Sequence, residues 1–178
     1  DYDKRIKNKI LNSGAVGNKK FHNRLFAKLF QGDQDPMKHY KLRTMCNDLP
    51  YVTYTTTLGH EYIGDKYPLL LQQYRAAIAS TTDIYTMKYF EMPASGCVTF
   101  MEVNDNNYAK NLGYSNNENA IFINDKNYIN KYKKFILDKQ CLKRQLKPSD
   151  VANLVLYLSS DVSSGCTKQN FIVDAGIT

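Results

Sequence analysis

Residues 74–103 read YRAAIASTTDIYTMKYFEMPASGCVTFMEV, and the fold is decided there. The run 76–80 is apolar, small-residued and of strand length, and 97–103 is a second apolar run of the same kind. Between them 86–93 reads as a helix closed by Ser95-Gly96. Two buried strands joined by a helix must lie parallel, because a helical crossover returns the chain to the same end of the sheet.

The pattern extends in both directions. Upstream, 7–16 runs into a tight Ser-Gly loop as a strand does, and 19–31 places Phe21, Leu25, Phe26, Leu29 and Phe30 at helical spacing. Gly32 to Pro36 breaks that helix, 51–58 is β-branched and aromatic, and Pro68 opens a helix expected to run through Leu71 and Tyr74. Downstream, 104–119 is polar and turn-rich, 120–124 is strand-like, and 126–139 is a basic amphipathic helix. Beyond 141 the texture changes: 146–150 starts a helix, 151–158 is strongly apolar, and 170–173 reads as a final strand. The expectation is an α/β chain with a parallel sheet and a C-terminal helix–strand tail, divided at 1–140 and 141–178.

The 178 residues are enough for one sizeable core. No apolar run approaches the ~18 residues of a membrane helix. The four cysteines, at 46, 97, 141 and 166, include no C-x-x-C pair, and His22, His39 and His60 are not spaced as ligands on one helix. We therefore expect no metal site, reduced thiols and a cytoplasmic setting. The net charge of +7 is uneven: residues 1–28 hold eight basic and two acidic residues, and 126–147 hold eight and one. Such a balance suits anionic partners or a solvated basic surface.

Two constellations offer chemistry. Ser13-Gly14-Ala15-Val16-Gly17, between strand and helix, lets main-chain amides approach an anion, although an ordinary βα turn has the same pattern. It is neither G-x-G-x-x-G nor a P-loop. Lys88 and Glu91 share a helix face: a lysine can hold a diphosphate, and a carboxylate can accept from two ribose hydroxyls. Ala94-Ser95-Gly96 would let a ligand approach the backbone. Spacing alone favours a surface ion pair at these positions.

The segment MKYFEMPASGCVTFMEV, with YRAAIAS before it and NLGYSNNENAIFINDKN after it, resembles the donor-binding half of GT-B glycosyltransferases, in particular the CgeB-like, spore-coat type. KILNSGAVGNKKFHNRL is similar to that family's first strand and loop. The likeness covers about 7–138. It implies a Rossmann-like sheet with helices on both faces, the C-terminal half of a GT-B fold. It also implies an enzyme that moves sugar from a nucleotide-sugar donor to a glycan or surface-polymer acceptor. Glu91 would hold the ribose and Lys88 would lie near the diphosphate. Ser13 and Gly14 would face the donor, with Ser95 and Gly96 at the backbone approach, and His22 or Arg24 would reach phosphate. No cofactor or metal is implied. The acceptor domain of such an enzyme has no room here, so an excerpt from a larger fusion is expected.

The tail LKRQLKPSDVANLVLYLSSDVSSGCTKQNFIVDAGIT resembles the carboxyl end of short-chain dehydrogenases. Pro148, Asp150, Val151, Ala152, Leu158, Ser160, Asp161, Ser163, Ser164, Thr167, Gln169, Val173, Asp174 and Gly176 follow that family's pattern, while Lys168 and Ala175 replace its usual glycines. This likeness implies the alternative, an NAD(P)-dependent reductase, and self-association through the tail. That family's G-x-x-x-G-x-G loop is absent, and Tyr62 and Lys66, though spaced Y-x-x-x-K, flank Gly64 just before Pro68, a poor setting for the long helix the motif needs. A third reading uses Lys126, Lys131, Lys133, Lys134 and Lys139, interleaved with Tyr128, Tyr132 and Phe135, as a nucleic-acid or anionic-membrane surface. Core spacing of those aromatics favours a wet helix face instead.

Overall fold

The computed structural model describes residues 4–26, 29–30, 35–56, 61–144, 146–166, 170–173 and 175. The expected assignments at 27–28, 31, 57–58, Thr167, Lys168, Gln169, Asp174 and Gly176 lie outside them. Two compact units divide the chain, Asp1–Lys131 and Tyr132–Thr178.

The first unit is built on five parallel strands: β1 (Ile6–Ser13), β2 (Val52–Thr55), β3 (Tyr74–Ala79), β4 (Val98–Glu102) and β5 (Ile121–Ile123). Their order across the sheet is β2-β1-β3-β4-β5. Register follows the apolar runs, with Ile10 opposite Val52 and Ala76, Ala76 opposite Val98, and Phe100 opposite Ile121. This is the α/β, Rossmann-like architecture expected.

Successive strand residues face opposite ways, and β1 uses both faces. Asn12 points to one, where its amide donates to the Arg43 carbonyl at 3.0 Å and to Asn47. Those partners bring α3 (Lys41–Cys46) onto that face, preceded by α1 (Phe21–Phe26) and α2 (Pro36–His39). Leu11 and Ser13 point to the other, covered by α4 (Tyr67–Leu71) and α5 (Lys88–Ala94). Leu11, Leu71, Ala77, Tyr89, Met92 and Met101 form the closed core between that face and those helices, and all are fully buried. At roughly 25 cal/mol per Å2 of apolar area removed from water, such packing dominates stability.

Three elements differ from expectation. Tyr74 begins β3 rather than ending α4, because the helix stops at Leu71 and Gln72 and Gln73 turn the chain. The 19–31 helix is described only as α1 and Leu29-Phe30, and its apolar residues Leu25, Phe26, Leu29 and Phe30 are exposed. Residues 170–173 are irregular, not a strand: no described neighbour forms a ladder with them, and Ile172 is 79% exposed.

The helix α6 (Tyr128–Lys139) spans the division between the units. Its Tyr128, Tyr132 and Phe135 are buried while Lys133, Lys134 and Lys139 are exposed, as a wet helix face requires. The second unit holds α7 (Pro148–Leu158), whose Asp150 closes the first turn by accepting from the Lys147 amide at 2.7 Å and from both arms of Arg144. Among the described residues, no helix is long and apolar enough to cross a membrane.

Candidate functional site

In an open parallel sheet the order in which strands are added reverses at one place, leaving a crevice at the carboxyl ends of two strands. With the order found here, that place is between β1 and β3. Ser13 ends β1 and Ser80 follows β3, and both are buried.

Gly14 sits at the head of the crevice with φ +104°, a conformation side chains resist. Its amide donates to Thr55 O at 3.0 Å, and Gly17 N–H donates to Thr44 Oγ1 at 2.8 Å. The ends of the loop are thus tied down, and the amides between them, of Ala15 and Val16, have no partner among the described residues. An added Cβ at Gly14 would lie 2.8 Å from Lys88 Nζ and 3.4 Å from Arg43 Nη1. Two cations therefore converge on this glycine from the two faces of the sheet.

Lys88 opens α5 and donates to Ser13 O at 2.5 Å and to Ser13 Oγ at 3.0 Å. Tyr67 OH lies 2.6 Å from the same Ser13 Oγ and 3.5 Å from Lys88 Nζ. Burial and the neighbouring Arg43 push the Lys88 amine down to about 7, with Glu91 opposing. Arg43, only 2% exposed, donates to Ser80 O at 2.5 Å and Ala15 O at 3.2 Å, and its guanidinium stacks 4.6 Å from the Tyr40 ring centroid. Its Nε–H is buried without a partner. Burial lowers its pKa as well. Neither cation forms an ion pair with a described carboxylate. A buried guanidinium beside a half-buried amine, neither of them ion-paired, is a costly arrangement that a bound anion would relieve. The crevice can hold a phosphate or carboxylate group.

The expected residues divide accordingly. Ser13, Gly14 and Lys88 meet, and Glu91 stands one turn along α5, close enough to act on the Lys88 and Tyr67 charges but without an ion pair to Lys88. The surface-pair expectation fails because Lys88 turns inward to β1. Ser95 and Gly96 are at the other end of α5, since the helix runs back along the sheet and leaves them at the amino end of β4, beside Arg5. His22 and Arg24 are exposed on α1 and make none of the crevice's contacts. Tyr62 and Lys66 do not share a helix: Tyr62 precedes the short 3-10 turn Gly64–Lys66. No group of three or more metal-ligating side chains lies together among the described residues. Arg43 was not foreseen. Its partners are 28 and 37 positions away, and only the buried Leu42 and Cys46 beside it hint that its helix faces inward.

The fold is that of an open α/β protein, and Lys88 and Arg43 meet at Gly14 at the switch of its sheet. The family model described as enoyl-(acyl carrier protein) reductase matches residues 122–178, from within β5 through α6 and the tail. No solved structure matches the chain. The expectation of a glycosyltransferase is corrected by this match, which is to an oxidoreductase family and agrees with the dehydrogenase-like pattern of the tail.

Proposed function

We propose that the protein is an NAD(P)-dependent reductase related to the short-chain dehydrogenases, with the cofactor's phosphates seated at Gly14 between Lys88 and Arg43. The observation that carries this reading is the convergence on that glycine of the buried Arg43 and the half-buried Lys88, neither of them in an ion pair with a described carboxylate. The reductase match at 122–178 supports the reaction class. The crevice fits the diphosphate part of such a cofactor. Three of the five Arg43 N–H donors remain unused, the Nε–H among them, and the free amides of Ala15 and Val16 add neutral donors. When bound, the cofactor supplies hydride.

The chain's own groups then have defined parts. Arg43 is a fixed fork, held by Ser80 O and Ala15 O, that would hold a phosphate through its remaining N–H groups. Lys88 takes up a proton as the anion arrives, since its apo pKa is about 7 and a negative neighbour raises it. Ser13 and Tyr67 share one hydrogen bond and hold the Lys88 amine in place. We place the protein in the cytoplasm, and exposed Val155, Leu156 and Val162 support self-association through the tail.

Titrating NADPH and NADH with the whole chain, read by cofactor fluorescence, tests the reading. Saturable enhancement that excess cofactor-free ADP suppresses is expected; no enhancement with either cofactor rejects it.

A further inference from the structure

Farther along the same edge, the carboxyl ends of β4 and β5 open on a cavity of about 520 Å3. Lys41, Lys110 and Lys126 line it together with Glu102, Asp105 and Asp125. Two of the cations are already matched, Lys41 with Asp125 and Lys110 with Asp105. That leaves one charge of each sign, Glu102 and Lys126, and Lys126 has no ion pair among the described residues.

Glu102 is 5% exposed. Ser80 Oγ donates to its Oε2 at 2.5 Å and Asn104 Nδ2 donates to its Oε1 at 3.1 Å. A carboxylate oxygen accepts about two hydrogen bonds, so each Glu102 oxygen keeps one acceptor direction. Two adjacent acceptors 2.2 Å or so apart, as in any carboxylate, match two neighbouring hydroxyls. Across the cavity the donors are Lys126 Nζ and the Asn124 amide, whose carbonyl oxygen is already taken by the amides of Lys126 and Asn127. Thr82 Oγ1, also in the lining, is buried without a partner. A guest that offers both donors and acceptors and carries no net charge satisfies all of these groups.

We infer that this cavity binds the vicinal diol of a neutral polyhydroxy compound, with Glu102 accepting from both hydroxyls and Lys126 donating to their oxygens. The inference stands apart from the cofactor reading above, because neither Arg43 nor Lys88 lines this cavity. A free sugar and the ribose of an uncharged nucleoside offer the same diol.

Saturation-transfer NMR on the whole chain decides the matter with D-ribose against 2-deoxy-D-ribose and adenosine against 2′-deoxyadenosine, all at millimolar concentration. We expect at least one diol to bind and its deoxy analogue to bind at least about tenfold more weakly, a change of ~1.4 kcal/mol. Ribose binding identifies a free-sugar site, and binding by adenosine alone identifies a nucleoside site. Lys126→Ala, at an exposed position, and Glu102→Gln should each give a similar loss. Lys126→Ala carries the test if the buried substitution unfolds the chain. Equal binding of diol and deoxy analogue, undiminished binding in Lys126→Ala, or no binding by any of the four overturns the inference.

Discussion

Lys88 is held at a cost that a bound anion would relieve. Its pKa falls from 10.5 to about 7, chiefly through burial. For a base whose folded pKa is lowered, the unfolded chain binds the extra proton between the two values, so stability rises with pH from about 7 towards 10.5 and is lowest below 7. Lys88→Met keeps the bulk and removes the charge. In chemical denaturation at pH 7 it should be more stable than the native chain by on the order of 1 kcal/mol, the hydrogen bonds to Ser13 being lost against the relieved burial. The difference should shrink at pH 10. The same variant should bind NADPH at least about tenfold more weakly, and native affinity should fall as pH rises from 6 to 9 and Lys88 loses its proton. A variant that is less stable and binds equally well would contradict the account. Gly14→Ala is the complementary change: φ +104° and the contact with Lys88 should cost ~1–3 kcal/mol and abolish binding together.

At the scale of elements, one amide staples the carboxyl edge. Asn107 is fully buried, and its Nδ2 donates to Glu102 O at 2.7 Å, Thr81 O at 3.0 Å and Tyr89 OH at 3.3 Å. It thereby ties the ends of β3 and β4 to α5. Asn107→Ala should destabilise the chain by ~1–3 kcal/mol, because the Thr81 carbonyl is left buried and unpaired. Tyr89→Phe should cost only about 1 kcal/mol, since Asn107 still serves Glu102 O. Urea denaturation of the two variants checks the ordering. The sequence announces the strands clearly, because apolar runs such as 76–80 record burial on both faces directly. It hides Asn107 in a polar, turn-rich stretch, and it hides Arg43 among charged residues of a short helix. Both act through carbonyls distant in the chain, and carbonyls leave no trace in residue types. Lys88 is legible as a candidate, but its direction is not: helical spacing pairs it with Glu91, while the closeness of α5 to β1 draws it to Ser13.

Across the whole molecule, the parallel sheet gathers four separate segments at one edge: the β1 loop, α3, the end of β3 and the start of α5. The tail speaks differently, through pattern rather than geometry, and the reductase-family match at 122–178 counts against the glycosyltransferase likeness of 7–138. Ligand binding that requires the assembled edge must stabilise the folded chain. NADPH at about 100 times its Kd should add ~2.7 kcal/mol and raise Tm by roughly 5–11 °C, and the gain should fall with added salt. An unchanged Tm would argue against binding at a site made by folding.

The central claim is that the anion sits between Lys88 and Arg43 over the free amides of the β1 loop. Two-dimensional amide NMR of the 15N-labelled chain during an NADPH titration tests it most directly. The account predicts that the Ala15 and Val16 resonances move most, with a shared saturation point, and that inorganic phosphate moves the same pair less. Shifts that leave Ala15 and Val16 in place while other regions respond would contradict it.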